Sequence, residues 1–169
     1  LGIVRAYSTR HGDGPFVTED PKLDRPLYEY FNGTGPWQGH FRIGHFDAVA
    51  HRYAARAAGS LDGLVVTGID RVTSLDTWQV CTGYEVPDEA DKEKFFQFDN
   101  TGTGRDITLA RYGDKLHMKR LTELLFRTAP VYETLETPTD EQAIKTIEHE
   151  LGMRVLIASH GPTVEDKIE

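Results

Sequence analysis

Twice along this chain a helix-length apolar periodicity stops at a glycine and gives way to a short apolar run that ends in a polar turn. Phe46, Val49, Ala50, Tyr53, Ala54 and Ala57 fall at helical spacing, with Asp47 in the first turn, where a negative charge is favoured, and Gly59 past the end. The run LDGLVVTGID follows at 61–70. Later, Thr137 or Thr139 can cap a helix with Ala143, Ile144, Ile147 and Leu151 on one face and Gly152 as the stop, and RVLIASHGP follows at 154–162. Short apolar runs without alternation fit parallel strands buried on both faces. The order helix, strand, polar turn, met twice, predicts an α/β fold in which both turns lie on one side of a sheet, where ligands of open α/β sheets gather.

Around this frame the chain is less regular. Residues 2–8 read as a strand, STRHGDGPF after them as a loop, and 21–44 as an ordered but irregular binding loop rich in Gly and Pro. WQVCTGYEV at 78–86 reads as a strand ending before Pro87. It carries Cys81, the only cysteine, which is expected to be a small buried thiol and leaves no internal disulfide. Residues 88–115 are charged and Gly-rich around the aromatic knot FFQF and read as an insertion.

A chain of 169 residues with 38% hydrophobic content suits a single domain. No apolar run approaches the ~18 residues of a membrane span, and the amino terminus lacks a secretory layout, so a cytoplasmic protein without membrane partners is expected. A net charge of -8 without clustered Lys and Arg argues against a nucleic-acid partner. His40, His45, His51 and His160 do not form a metal set: His45 and His51, six apart, share no helix face, and no Cys or carboxylate completes a zinc site. The chain starts at Leu1, almost directly in a strand, and reads as a fragment or processed product.

Four segments in order resemble the carboxyl-terminal half of the adenylosuccinate synthetase family: GIVRAYSTRHGDGPFVTE at 2–19, GTGPWQGHFRIGHFDAVAHRYA at 33–54, VVTGID at 65–70 and ASHGP at 158–162. PVYETL at 130–135 is a weaker fifth match. The resemblance implies the carboxyl-terminal portion of a P-loop-type synthetase fold, a mixed sheet with flanking helices. It also implies part of a ligase that uses GTP and Mg²⁺ to join L-aspartate to inosine monophosphate in purine nucleotide synthesis.

On the same basis Thr67, Asp70, Ser159, Gly161 and Pro162 would bind the guanine of GTP. Thr9, Arg10, His11 and Gly12 would line the purine nucleoside monophosphate, and Trp37, Gln38, Gly39 and Arg42 would bind aspartate. The chemistry is consistent with the first set, since a carboxylate accepts from both N1–H and the exocyclic amine of guanine, whereas adenine presents an acceptor at N1. Without the resemblance, Asp70 also reads as a strand-end cap or the ion-pair partner of Arg71, and Arg42 as a solvated surface charge.

The pattern is not complete. The family's run of arginines is Gly39, His40, Phe41 and Arg42 here, closer to divergent short members that include viral relatives acting on a 2-amino purine monophosphate. The lysine of the guanine element is Gly68. The glycine-rich phosphate loop and the catalytic Asp and His of the family precede the matched region, and GTGRD at 102–106 is no phosphate loop. No catalytic residue is therefore expected in this chain, which alone would be inactive and would need an amino-terminal half, forming a homodimer at full length. The competing expectations are a stand-alone nucleotide-binding or regulatory module and a structural remnant.

Overall fold

The computed structural model describes residues 1–168. Its strands are β1 (Gly2–Arg5), β2 (Ser8–His11), β3 (Phe41–Gly44), β4 (Phe46–Asp47), β5 (Leu64–Thr67), β6 (Thr77–Glu85), β7 (Phe96–Phe98), β8 (Gly104–Ile107), β9 (Ala129–Glu136), β10 (Val155–Ser159) and β11 (Lys167–Ile168). The helices are α1 (Ala48–Ala58), α2 (Ile69–Thr73), α3 (Lys115–Leu125) and α4 (Asp140–Leu151).

One sheet runs β1-β5-β10-β11, the first three strands parallel and β11 antiparallel at the edge. Both runs singled out in the sequence are thus central neighbours in one sheet. Leu64 and Val66 of β5 and Ala158 of β10 point into a core with Ile69 and Val72 of α2 and Ala143, Ile147 and Leu151 of α4. The two long predicted helices form with the predicted stops: Gly59 and Gly152 follow α1 and α4, and Gly152 takes the left-handed φ of 64° that an L side chain disfavours. Thr139 caps α4 in a reciprocal box with Gln142. Asp47 is one position outside the first turn expected for it: it is the cap of α1, accepting from Ala50 N–H at 3.0 Å.

A second sheet is built on β6, with β9 antiparallel along one edge and β4 and β8 along the other, and β7 beyond β8. Its core holds Val49, Cys81, Tyr84, Phe95, Phe96, Ile107, Leu121 and Leu124. Cys81 is fully buried, and burial pushes its thiol well above the ordinary range. Segment 88–115 supplies β7 and β8, and its aromatic knot places Phe95 and Phe96 in that core.

Two elements depart from expectation. The STRHGDGPF segment begins as strand, because Ser8–His11 pair antiparallel with Gly44–Phe41 in a two-stranded ribbon. A mostly exposed strand such as Ser8–His11, held by backbone bonds, leaves no apolar alternation to read. The loop after residue 20 is accordingly shorter than expected, ending at Phe41.

Candidate functional site

The register of the parallel sheet builds the first site. Thr67 at the end of β5 lies opposite Ser159 at the end of β10, so both polar turns leave the same edge side by side. After Thr67, Gly68 adopts φ 73°, and a Cβ there would stand 3.0 Å from the Tyr7 ring. Gly68 therefore makes a turn under an aromatic ring that leaves little room for a side chain. The chain then enters α2, with Asp70 in its first turn and half-buried. Arg71 does not pair with it; its guanidinium donates to the Tyr28 carbonyl at 2.9 Å. Among the described residues the Asp70 carboxylate takes part in no ion pair.

The turn after β10 is braced from below. Ser159 is buried and its hydroxyl donates to the Gly161 carbonyl at 3.1 Å. Lys167 Nζ donates to the carbonyls of Gly161 and Thr163, each at 2.6 Å. Asp166 accepts from the Thr163 amide at 2.8 Å and its hydroxyl at 2.7 Å. His160 reaches Asp140 at the start of α4 at 2.8 Å, and Pro162 is exposed. An unpaired carboxylate beside a fixed glycine turn suits the edge of a base that presents two neighbouring donors.

A cleft of about 470 Å³ opens between the β1 and β2 segment, α1 and α3. Thr9 and Arg10 line it; His11 and Gly12 do not, since the ribbon carries them onward, where the His11 ring sits 5.0 Å from that of Phe41. Asp47, His51 and Tyr84 also line the cleft. Asp47 accepts from the Tyr84 hydroxyl at 2.6 Å, and Nδ1 of His51 meets the Asp47 carbonyl at 2.6 Å. Burial raises the Asp47 carboxyl above its ordinary range, against the hydrogen bonds from Tyr84 and Ala50, and burial lowers His51.

The loop expected to bind an amino acid closes on itself. Gly35 and Gly39 exchange backbone hydrogen bonds of 3.0 Å, and Thr34 meets His40 at 3.0 Å. Trp37 at the tip is 96% exposed, so it is no core residue; Gln38 beside it is exposed as well. Arg42 stands apart from the tip. It donates to Glu19 at 2.7 Å and to the carbonyls of Gly12 and Gly14 at 2.6 and 2.9 Å.

One network has no counterpart in the sequence reading. Glu29 accepts from Arg5 at 2.6 Å, from the Tyr7 hydroxyl and from Asn32 at 3.0 Å, while the Arg5 guanidinium lies 5.3 Å over the Tyr7 ring. Burial first, then the Glu29 hydrogen bond, pushes the Tyr7 hydroxyl up to about 12. Arg5 and Tyr7 lie more than twenty positions from Glu29, so no local pattern marks their contact with it. The bracing of the last turn, by contrast, is visible as T-x-x-D from Thr163 to Asp166, a capping-box spacing. Among the described residues no three His, Cys, Asp or Glu side chains gather as a metal set, and no helix is long and apolar enough to cross a membrane.

A family model described as adenylosuccinate synthetase matches residues 1–168. The chain is similar to the adenylosuccinate synthetase of Syntrophotalea carbinolica, 32% identical over 174 residues that cover 100% of this chain and 37% of that protein. It is 35% identical to that of Sorangium cellulosum over 82% of this chain and 33% of the relative. The chain thus spans about a third of the length of these relatives. A solved structure of fully ligated adenylosuccinate synthetase from Plasmodium falciparum superposes with a TM-score of 0.71 at 20% identity, covering 98% of this chain and 39% of that one, a likeness of fold.

Proposed function

We propose, because the chain belongs to the adenylosuccinate synthetase family, that it supplies the base-recognition part of a GTP-dependent ligase that joins L-aspartate to a purine nucleoside monophosphate such as inosine monophosphate. The observation that carries this reading is the pairing of Thr67 with Ser159 at the ends of parallel neighbours, with Asp70 unpaired beside them. In this reading Asp70 accepts from N1–H and the exocyclic amine of guanine. Thr67, Ser159, Gly161 and Pro162 shape the slot around the ring, with Gly161 allowing backbone to approach it.

Thr9 and Arg10, which line the cleft, face the nucleoside monophosphate, and His11 and Gly12 carry the chain on beyond it. Trp37 and Gln38 form the exposed tip offered to aspartate, with the half-buried Gly39 behind them. The GTP base fits the residues present. Mg²⁺ does not: the described residues offer no ligand set, so the ion, the phosphate cradle and the catalytic acid–base groups are assigned to another part of the family fold. Those groups supply the phosphoryl transfer and amine displacement; this chain binds and orients.

The test is reconstitution. The chain is mixed with the separately produced amino-terminal two thirds of a family member, and phosphate release is followed with GTP, L-aspartate and inosine monophosphate. Turnover that requires both parts supports the ligase reading. GTP binding with no turnover supports a stand-alone nucleotide-binding module, and no effect of GTP on thermal stability a structural remnant; either result removes the ligase reading.

A further inference from the structure

We propose that Arg42 is a positioning residue that holds the Gly12–Gly14 turn in its nucleotide-ready shape and ties that turn to the amino-acid loop, rather than a group that grips the amino acid's carboxylate. The inference rests on the assignment of Thr9 and Arg10 to the nucleoside monophosphate. A bidentate contact needs a free pair of guanidinium N–H groups, and Arg42 has none to offer. Nη1 is held by Glu19 and Nη2 by two carbonyls, at Gly12 and Gly14. Nε is buried, the side chain is 16% exposed, and its charged end lies 5.5 Å over the Phe16 ring. Every bond runs to the turn and the segment after it, across a gap of 23 to 30 positions.

The backbone continues the tie. Arg42 pairs directly with Arg10 in the ribbon, and the Gly12 amide donates to the His40 carbonyl at 3.0 Å. A Cβ at Gly39 would stand 3.0 Å from the Gly12 Cα, and one at Gly12 would stand 3.0 Å from the Gln38 carbonyl oxygen. The two glycines, at φ 72° and 73°, let the loops touch backbone to backbone. Nucleotide turn and amino-acid loop are therefore one body, and Arg42 is its clamp. Removing the clamp frees two carbonyls and a carboxylate in the segment that leads to and follows Pro15 and Phe16 of the cleft lining.

Hydrogen exchange and inosine monophosphate titration of the whole chain, with R42A, R42K and E19Q, test this. Without ligand, the amides of Gly12, Asp13, Gly14 and Phe16 in R42A are expected to exchange at least tenfold faster, while those of β5, β10 and α4 are unchanged; R42K and E19Q fall between. Inosine monophosphate should bind R42A at least tenfold more weakly than wild type, with R42K restoring part of the loss. Unchanged exchange at 12–16, or R42A binding inosine monophosphate as wild type does while losing a response to L-aspartate, overturns the proposal. If wild type itself binds no purine monophosphate, the nucleotide assignment fails, and the exchange result still decides whether Arg42 is the clamp.

Discussion

At Arg52 a single side chain connects four parts of the molecule. From the middle of α1 its guanidinium reaches Asp106 at 3.2 Å, the Glu150 carboxylate at 2.9 Å and carbonyl at 3.0 Å, and the carbonyls of Thr82 and Arg105 at 3.1 and 2.6 Å. Glu150 is only 5% exposed at its side chain, so losing the arginine strands a buried carboxylate. R52M should cost about 3 kcal/mol of stability in urea unfolding, as expected when one partner of a buried pair is removed; a loss under about 1 kcal/mol would mark the network as ornamental. Nothing local announces this residue, because its partners lie 30 to 98 positions away. The positions of Thr67 and Ser159 were legible for the opposite reason: each ends an apolar run whose strand character is written in its own few residues. Arg42 lies between these cases. Its presence in the loop was visible, but its commitment to Glu19 and the Gly12–Gly14 turn depends on a ribbon that only the fold creates.

Among the elements, α1 carries a pH dependence. His45, just before β4, is buried against Asp20 and the Tyr132 ring, and His51 lies in the helix; burial lowers both below the ordinary 6.5. The unfolded chain therefore binds more protons than the folded one as pH falls below about 6.5, so stability is complete above that value and is lost on acidification. H45Q should flatten the slope of stability against pH between about 6.5 and 5, and an unchanged slope in urea titrations would remove His45 from the account. The helices α1 and α4 were readable because periodicity, cap and glycine stop agree. Helix α3 is harder to read from sequence, although Asp114 caps it and Leu121 and Leu124 are buried along it, because it begins where the charged 88–115 segment ends, which hides its start. Strand β2 is unreadable in principle, since STRH has no apolar alternation and only its pairing with β3 makes it a strand.

For the molecule as a whole, β6 belongs to both cores, giving Trp78 and Val80 to one and Cys81 and Tyr84 to the other. Shared this way, the cores should unfold together. In a W37F background, Trp78 fluorescence and Cys81 reactivity toward a thiol reagent are expected to give one urea midpoint; separate midpoints would divide the chain into two units. The central strands of the parallel sheet were legible because both are short apolar runs with polar ends, whereas the second sheet gathers strands of mixed pattern from across the chain. The central claim is that the carboxyl ends of the parallel strands β5 and β10 read guanine through Asp70. Calorimetric titration of the chain and D70N with GDP and ADP tests it most directly. The account predicts that wild type binds GDP at least tenfold more tightly than ADP and that D70N loses this preference, as the loss of a charge-assisted contact of about 1.5–3 kcal/mol requires. Equal binding of GDP and ADP by wild type, or an undiminished preference in D70N, would contradict it.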